Sequence, residues 1–349
     1  MPSKTFVASP PAGSAGPDDI TMLTTEGVNH GSPMIWTAYQ NGINPDGTPG
    51  VAGGPTMSTV AGYDLSTGAL VLSIPVTGKV DGISADQQMG VLIATVNEDV
   101  HSAIDLIYPA IGAVATYTYS IDPAVGGNGG TDSIAVSHGQ VYLVHSNPND
   151  LTQPAEYTVA FDRSTPTLTA KLTPVFYDDS MATDAVTGAT VQLALTDPDT
   201  SFVMPKDTAP FGGDLATISQ ADGKIVFATD LEHTPDLTEL SVTDNSVGNV
   251  PPLDGMAAAT SDSGTLYVVD AKAGVIYALD TTGWAAGTVF VGEPSDNGNP
   301  LVGVLNLSTG VVTPFGDTFV SPKGLLFVPA HGEGDTGGVG GDMLAGLLG

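Results

Sequence analysis

Short apolar runs separated by turn residues recur along the whole chain. The runs are rich in Val, Ile, Leu, Tyr and Phe, and most of them end at Gly, Asp, Asn or Pro. Runs of this kind predict β-strands, because β-branched and aromatic side chains fit a pleated sheet while Gly, Pro, Asn and Asp favour turns. The chain is therefore predicted to be all-β.

One strand recurs with a common start, in which an acidic residue is followed by a small residue and an apolar one. The copies begin at Asp18, Asp81, Asp132, Asp214 and Asp254, and Lys323 replaces the acid in a sixth copy. A second apolar strand follows most copies after a Gly turn, and we interpret each such pair as the inner hairpin of a blade. Self-similarity at a period of roughly 40 to 50 residues is typical of β-propellers, and we predict about six blades.

The spacing of the copies is irregular, and we assign the surplus residues to insertions. The insertions are Asn41–Met57, Ser180–Phe211 and Trp284–Pro300. Because Ser180–Phe211 interrupts the repeat, it is expected to be loosely attached to the core. The strand pairs within Thr288–Phe315 cannot be assigned to one blade from the sequence.

The two ends of the repeat region are predicted to share a blade. Lys4–Ser9 is a lone strand before the first copy, and Ser321–Pro329 is an incomplete copy at the other end. Pairing them in one blade would close the ring and remove its open edges. The propeller is thus assigned to residues 1–330 and a Gly-rich tail to residues 331–349. The tail contains one match to a calcium-binding nonapeptide, whereas stacking of such repeats needs about three copies.

Two segments carry a resemblance to a known group of propellers. Ser321-Pro-Lys-Gly-Leu-Leu and Gly264-Thr-Leu-Tyr-Val-Val-Asp270 resemble the inner hairpins of NHL-repeat and gluconolactonase-like six-bladed propellers. The resemblance extends over residues 5–330, and the chain also looks like secreted bacterial propeller proteins. It implies a secreted or periplasmic location, although no signal peptide is recognised in the sequence. It also implies a metal-dependent lactone or ester hydrolase, or a lyase on a related scaffold.

The charge balance excludes one class of partner. Acidic residues outnumber Lys and Arg by 38 to 8, which gives a formal net charge of −30, and the cations form no cluster. A nucleic-acid backbone requires a positive surface, so no nucleic-acid binding is expected. The same field attracts cations, although a halophilic origin would also give an excess of acid. No apolar run is long enough to suggest membrane insertion, and the absence of Cys excludes disulfides and thiol chemistry.

The repeated acids are the candidate metal ligands. The first strand of each propeller blade lines the central channel, so the five acids would converge at one mouth, with Lys323 completing the ring. Converging carboxylates can hold Ca²⁺ or another divalent cation, or raise one another's pKa values. Alternatively, each Asp caps the turn at its own strand start. The predicted metal ligands are Asp18, Asp81, Asp132, Asp214 and Asp254.

A second set of polar residues follows the next strands of the repeat. The members are Glu98, His145, Asp230 and Asp270. A pocket that combines imidazole and carboxylate could bind a transition metal or carry out acid–base chemistry. The same residues could also simply begin polar loops.

Two functions remain open on these observations. The first is a secreted binding or scaffold propeller for a small-molecule or cell-surface ligand, with a divalent cation at the channel mouth. The alternative is the metal-dependent lactone or ester hydrolase, or lyase, that the resemblance implies. The sequence contains no Gly-x-Ser-x-Gly nucleophile motif and no phosphate-binding loop with its lysine. What separates the two functions is whether the acids face one pocket or cap separate turns.

Overall fold

In the computed structural model almost every regular element is a β-strand. The structure describes residues 3–121, 123, 129–164, 167–246, 248, 250–295 and 299–330. Within these ranges helical structure is limited to a 3-10 turn at Asn29–Gly31. No helix in this part of the chain is long and apolar enough to cross a membrane. The predicted tail and its nonapeptide lie outside the described residues.

The strands are short and are numbered here in chain order. The first nine are β1 (Lys4–Ala8), β2 (Pro17–Leu23), β3 (Met34–Tyr39), β4 (Met57–Asp64), β5 (Leu70–Thr77), β6 (Val80–Asp86), β7 (Val91–Val96), β8 (Ala103–Tyr108) and β9 (Ala113–Tyr119). The next nine are β10 (Gly130–Ser137), β11 (Gln140–Ser146), β12 (Pro154–Asp162), β13 (Thr169–Tyr177), β14 (Met181–Asp184), β15 (Thr190–Gln192), β16 (Pro198–Val203), β17 (Leu215–Ser219) and β18 (Lys224–Thr229). The last nine are β19 (Asp236–Ser241), β20 (Thr243–Asp244), β21 (Gly255–Ala258), β22 (Gly264–Asp270), β23 (Val275–Asp280), β24 (Val289–Glu293), β25 (Leu301–Leu305), β26 (Val311–Pro314) and β27 (Pro322–Pro329).

The strands form sheets that are mainly antiparallel. Strands β2 to β5 form one sheet in chain order, and β6 to β9 and β10 to β13 form two four-stranded units joined by a short parallel pairing of β9 with β13. A further sheet has the order β15-β14-β19-β18-β17-β16. The remaining two have the orders β20-β26-β25-β24-β21 and β1-β23-β22-β27.

A closed ring of inner strands surrounds the centre of the molecule. These strands follow one another in the order β2, β6, β10, β16, β21, β27 and back to β2, and each lies at an edge of its sheet. We call them the channel strands. The predicted all-β propeller is confirmed by this arrangement, in which sheets radiate from a common centre.

Apolar side chains fill the spaces between neighbouring sheets. Trp36 of one sheet packs with Ile83 and Leu92 of the next, and Phe227 packs in another cluster with Val291. Similar buried clusters lie between the other neighbouring sheets. Burial of this kind stabilises the ring by roughly 25 cal/mol for each Å² of apolar surface removed from water. The core therefore holds the channel strands in fixed positions around the centre.

The two ends of the described chain meet in one sheet, as predicted. Phe6 of β1 pairs with Tyr277 of β23, and Phe327 of β27 pairs with Leu266 of β22. Strand β1 is thus the outermost strand of this sheet, and β27 is its innermost strand. This arrangement ties the ring closed and leaves no open gap between its first and last sheets.

The segment predicted to be a loose insertion instead contains a channel strand. Ser180–Phe211 includes β14, β15 and β16, and its Leu193 and Leu195 are buried. The predicted hairpin of β17 with β18 does form, but β17 lies one strand outward from the channel. The assignment of β17 to the channel was wrong because many strands that leave a turn have a polar start followed by apolar residues. This pattern is not limited to the inner strands.

A second correction concerns the strands that follow Asp254. The sequence suggested that β21 and β22 form one hairpin, yet β21 pairs with β24 and β22 pairs with β27. The chain leaves β21, builds β22 and β23 in the neighbouring sheet and returns for β24, so β24 lies within the predicted insertion Trp284–Pro300. The prediction failed because it assumed that strands adjacent in sequence are adjacent in space, which holds only about two times in three.

Candidate functional site

The channel strands lie close together near their first residues. A Cβ added at Gly82 would lie 2.8 Å from the carbonyl oxygen of Asp132, and one added at Gly324 would lie 2.8 Å from that of Asp18. Glycine at these positions lets neighbouring backbones meet, and it brings the preceding side chains to one level of the channel. The residues at this level, which we call the channel ring, are Asp18, Asp81, Asp132, Asp199, Asp254 and Lys323.

The channel ring lines a cavity of about 2290 Å³ that follows the channel strands. Both Asp81 at the start of β6 and Asp86 at its end line this cavity, so the ring marks the end at which the strands begin. Glu98, Lys79 and Asp197 line the cavity as well. The acids thus face one common space, which the sequence alone could not establish.

Lys323 joins the two acids that flank it in the ring. Its Nζ lies 2.9 Å from Asp18 Oδ1 and 2.9 Å from Asp254 Oδ2. Burial opposes the charge on Lys323, but the two carboxylates raise its pKa well above the usual value. Burial also raises the pKa of Asp254 to about 6, against the effect of Lys323. The ammonium group is therefore held charged between two carboxyl groups.

A second lysine, Lys79, contacts the next acid of the ring, Asp81. The Nζ of Lys79 contacts Asp81 Oδ1 and lies 3.4 Å from Glu98 Oε2. Gln40 Nε2 donates hydrogen bonds to Asp18 Oδ2 at 2.6 Å and to Asp81 Oδ1 at 3.1 Å. Burial raises the pKa of Asp81 to about 7, although Lys79 acts in the opposite direction. Asp81 is only 3% exposed, and its Oδ2 accepts no hydrogen bond from the described residues.

Asp132 and Asp199 form a pair without a lysine. Their side chains are hydrogen-bonded to each other, which requires a proton between them. Burial raises both pKa values well above the usual range, and the charge of Asp199 adds to the effect on Asp132 while that of Asp254 adds to the effect on Asp199. The hydrogen bond favours the proton on Asp132 and the charge on Asp199. In the described part of the chain, Asp199 Oδ2 is buried and has no hydrogen-bond partner. The pair is thus one carboxylic acid beside one carboxylate.

Two further acids lie beside the ring. Asp19 accepts the backbone N–H groups of Ile20 at 2.9 Å and Ile83 at 3.2 Å, and burial raises its pKa to about 7. Burial raises the pKa of Asp197 to about 6, with the charge of Glu98 adding to the effect. This end of the channel therefore gains and loses protons between about pH 6 and pH 7.

The structure brings most, but not all, of the sequence-predicted candidates to this end of the channel. Those that line the cavity are Asp18, Asp81, Asp132, Asp254, Lys323 and Glu98. Asp214 does not line it, because its strand β17 is the second strand of its sheet and Asp199 occupies the ring position instead. The side chain of Glu98 accepts hydrogen bonds from Ser146 Oγ at 2.8 Å and Asn147 Nδ2 at 3.1 Å.

The other three candidates serve local structure and lie outside the cavity lining. His145 is buried between the carbonyl oxygens of Pro154 and Pro123, 3.0 Å and 2.8 Å from its ring nitrogens, and burial lowers its pKa. Asp270 is fully buried and accepts the backbone N–H groups of residues 320 and 321. Asp230 lies at the surface and contacts His233. Each of these residues follows the loop alternative rather than forming a second pocket.

The sequence reasoning missed Asp199, Lys79, Gln40 and Gln220. Gln220 donates a hydrogen bond to Asp254 Oδ2 at 3.2 Å and so supports the ring from another loop. A signal for Asp199 was present, because Pro198 precedes it as Pro17 precedes Asp18 and Pro322 precedes Lys323. Proline suits the first residue of a strand, where no ladder hydrogen bond is lost.

The donor set of the ring suits ammonium groups better than a resident metal ion. Among the described residues no three carboxylate or imidazole groups lie close enough together to hold a metal. Two lysine ammonium groups contact Asp18, Asp81 and Asp254, three of the acids that a calcium site would need. Binding of calcium at the ring stays a prediction, and we assign no chemistry to it.

Comparisons with known proteins give the chain no family. No family model and no curated protein matches the sequence. Solved structures with a related shape include a protein assigned as a gluconolactonase, at 10% identity and a TM-score of 0.48, with coverage of 89% of this chain and 80% of that one. Hydrazine synthase of Kuenenia stuttgartiensis matches at 10% identity and a TM-score of 0.43, over 84% and 67% of the two chains. The computationally designed Ika8 protein matches at 12% identity and a TM-score of 0.38, over 87% and 75%.

Proposed function

We propose that this protein is a binding propeller that captures a small cationic ligand at the channel ring. The observation that carries the proposal is the charge at this end of the cavity, where acids outnumber ammonium groups. The acids that line it are Asp18, Asp19, Asp81, Glu98, Asp132, Asp197, Asp199 and Asp254, and the ammonium groups are those of Lys79 and Lys323. A concave site lined by charge of one sign focuses the field and concentrates ligands of the opposite charge.

The ring also supports a choice among cations. Lys323 shows that a primary ammonium group fits between two ring carboxylates, with both contacts at 2.9 Å. A hard divalent cation would instead require roughly six to eight oxygen ligands. We therefore propose an organic amine as the ligand class, and the calcium prediction becomes an arm of the same experiment.

Calorimetric titration of the purified protein at pH 8 and low salt tests this function. We expect 1,4-diaminobutane to bind and 1,4-butanediol, which has the same length but no charge, not to bind. Added salt should weaken binding of the diamine, because it screens charge interactions. Calcium chloride is titrated in parallel to test the cation expected from the sequence.

The matched variants are Asp254→Asn, inside the ring, and Asp214→Asn, outside it. We expect the first substitution to weaken binding of 1,4-diaminobutane and the second to leave it unchanged. No binding of any cation to the unaltered protein, or equal binding of the diamine and the diol, would contradict the proposal.

A second candidate function is the lactone or ester hydrolase, and the Asp132–Asp199 pair is the observation that favours it. A carboxylate beside a carboxylic acid can take a proton from an attacking water molecule and return one to the leaving oxygen. In that reaction Asp199 would accept the water proton and Asp132 would protonate the leaving alcohol. The resemblance to gluconolactonase-like propellers adds the substrate class but no residue of this chain.

Hydrolysis of a δ-lactone and of p-nitrophenyl acetate, with and without calcium chloride, tests this second function. Turnover should be lost in Asp199→Asn and kept in Asp214→Asn, and the pH–rate profile should be bell-shaped. Rates equal to those of buffer alone for both substrates would remove this candidate.

The cellular location of the protein also stays a prediction. Export to the periplasm or the exterior would expose the channel to small molecules or to ligands on a cell surface. Cell fractionation of the native host with an antibody against the protein tests the location.

A further inference from the structure

Neighbouring acids in the channel ring are joined by three different kinds of contact. Lys323 joins Asp254 to Asp18 through its ammonium group, and Gln40 joins Asp18 to Asp81 through its amide. Asp132 and Asp199 are joined only by the proton that they share. The third kind of contact differs from the others because a proton can leave for the solvent, whereas a side chain of the protein cannot.

The same pair lacks the lysine contacts that the other ring acids have. Lys79 pairs with Asp81, and Lys323 pairs with Asp18 and Asp254. No ion pair to Asp132 or Asp199 is formed by the residues that the structure describes. Of the ring, then, this is the part at which the protein does not supply its own ammonium group.

Unused hydrogen-bond acceptors are present beside the pair. Asp199 Oδ2 and Asp81 Oδ2 are both buried, and neither accepts a hydrogen bond from any described residue. Asp81 is 3% exposed and lines the same cavity as the pair. A buried carboxylate oxygen without a donor is costly, and a primary ammonium group brings three N–H donors. These orphaned oxygens therefore indicate a ligand that donates several hydrogen bonds.

We propose that a primary ammonium group of the ligand binds beside Asp132 and Asp199, where Asp199 Oδ2 and Asp81 Oδ2 have no hydrogen-bond donor, and that it displaces the shared proton of the pair on binding. This inference rests on the proposed function and adds the position and the chemistry of the contact. In the free protein, one proton and one negative charge are distributed over the two carboxyl groups. In the complex, the ammonium group faces two carboxylates and one proton has passed to the solvent, so charge and protons balance.

The exchange makes binding depend on pH. Below the pH at which the shared proton leaves, the ligand competes with that proton, so affinity rises with pH and reaches a plateau above it. The charged groups around the pair are Glu98, Asp81, Asp197, Asp254 and Lys323. Ser201 of β16, which also lines the cavity, donates a hydrogen bond to Glu156 at 2.8 Å.

Glu156 is a separate source of pH dependence, because burial raises its pKa to about 8. It does not line the cavity, so its titration should change stability without releasing a proton when the ligand binds. Measuring the protons released on binding, rather than affinity alone, separates its titration from that of the pair.

The test is calorimetric titration of the whole protein with 1,4-diaminobutane at pH 7 in phosphate and in Tris. These buffers differ in ionisation enthalpy, so a proton released on binding makes the observed heats differ. We expect release of about one proton for each subsite filled. 1,4-Bis(trimethylammonio)butane, which carries the same two positive charges but has no N–H donor, should bind more weakly than the diamine by roughly tenfold to a hundredfold.

Two substitutions localise the contact. Asp132→Asn keeps a donor for Asp199 but carries no displaceable proton, so we expect weaker binding and the release of about one proton fewer than from the unaltered protein. Asp199→Asn removes the retained charge, and we expect a loss of roughly tenfold or more in affinity. Asp214→Asn, outside the ring, should match the unaltered protein in both respects.

The outcomes distinguish the two proposals. Absence of diamine binding by the unaltered protein would overturn the proposed function and this inference with it. Diamine binding with equal heats in both buffers would overturn the inference alone and place the ammonium group elsewhere in the ring. Because that result needs no variant, it holds even if Asp132→Asn or Asp199→Asn fails to fold.

Discussion

Replacing Lys323 by methionine is expected to destabilise the folded protein by roughly 3 to 5 kcal/mol at pH 8. Lys323 holds Asp18 and Asp254 at 2.9 Å, and its removal leaves two buried carboxyl groups without a counter-charge. Removing one partner of a buried ion pair costs this much stability because the remaining charge has lost its hydration and gains no replacement contact. Urea unfolding, followed by circular dichroism, measures the change in the free energy of unfolding.

The pH dependence identifies the cause of that loss. Without the lysine, Asp254 should remain protonated to higher pH in the folded state, so the loss should shrink between pH 8 and pH 5. The matched control is Lys171→Met, whose ion pair with Asp162 at 2.8 Å lies at the surface and should contribute little to the free energy of unfolding. Adding Asp254→Asn to the Lys323 variant should recover part of the stability. A loss that is equal at both pH values would show that Lys323 acts through packing instead.

The sequence predicted the propeller because its cue is repeated many times. Each strand start, turn and apolar run agrees with the others, so an error in one copy does not change the fold class. The position of the first and last strands in one sheet followed from the need to pair open edges. Assignment of individual strands was less secure, because β17 and the true channel strand β16 have similar local sequences and only long-range pairing separates them.

The candidate site was likewise predicted only in part from the sequence. Asp18, Asp81, Asp132 and Asp254 were found because they repeat at strand starts, and their convergence follows from the ring of strands. Lys79 and Gln40 carry no repeated signal in the sequence, and they reach the ring from positions that only the packing of neighbouring sheets defines. The proton shared by Asp132 and Asp199 depends on burial and on the distance between strands that are far apart in sequence. No local pattern encodes those quantities.

The second large effect expected is a fall in stability as the pH rises from about 4 to 8. Several acids have folded-state pKa values far above those of the unfolded chain, because burial disfavours their charged forms. They are Asp19, Asp81 and Glu293 at about 7, Glu156 and Asp178 at about 8, and Asp197 and Asp254 at about 6. In this pH range the folded state binds more protons than the unfolded state, so the free energy of unfolding decreases as the pH increases. The melting temperature should therefore be clearly higher at pH 5 than at pH 8.

Asp178 provides the sharpest test of this dependence. It is fully buried, and neither carboxylate oxygen has a hydrogen-bond partner in the described structure. Burial raises its pKa to about 8, with the charges of Asp179 and Asp222 adding to the effect. This rise in the pKa of Asp178 corresponds to roughly 5 to 6 kcal/mol of stability lost once the group must ionise. Asp178→Asn removes the ionisation, so the difference in unfolding free energy between pH 5 and pH 8.5 should become smaller.

The quantity to compare is that pH difference, and not the stability at either pH. An uncharged amide in the same site also lacks partners, and its cost is the same at both pH values. The control is Asp162→Asn in an exposed turn, where hydrogen bonds and the nearby Lys171 lower the pKa of the carboxyl group. Asp162 is ionised in both states above about pH 5, so its replacement should leave the pH difference unchanged. If Asp178→Asn and Asp162→Asn show the same pH difference as the unaltered protein, Asp178 must ionise without cost, which would require water or a counter-charge beside its carboxyl group.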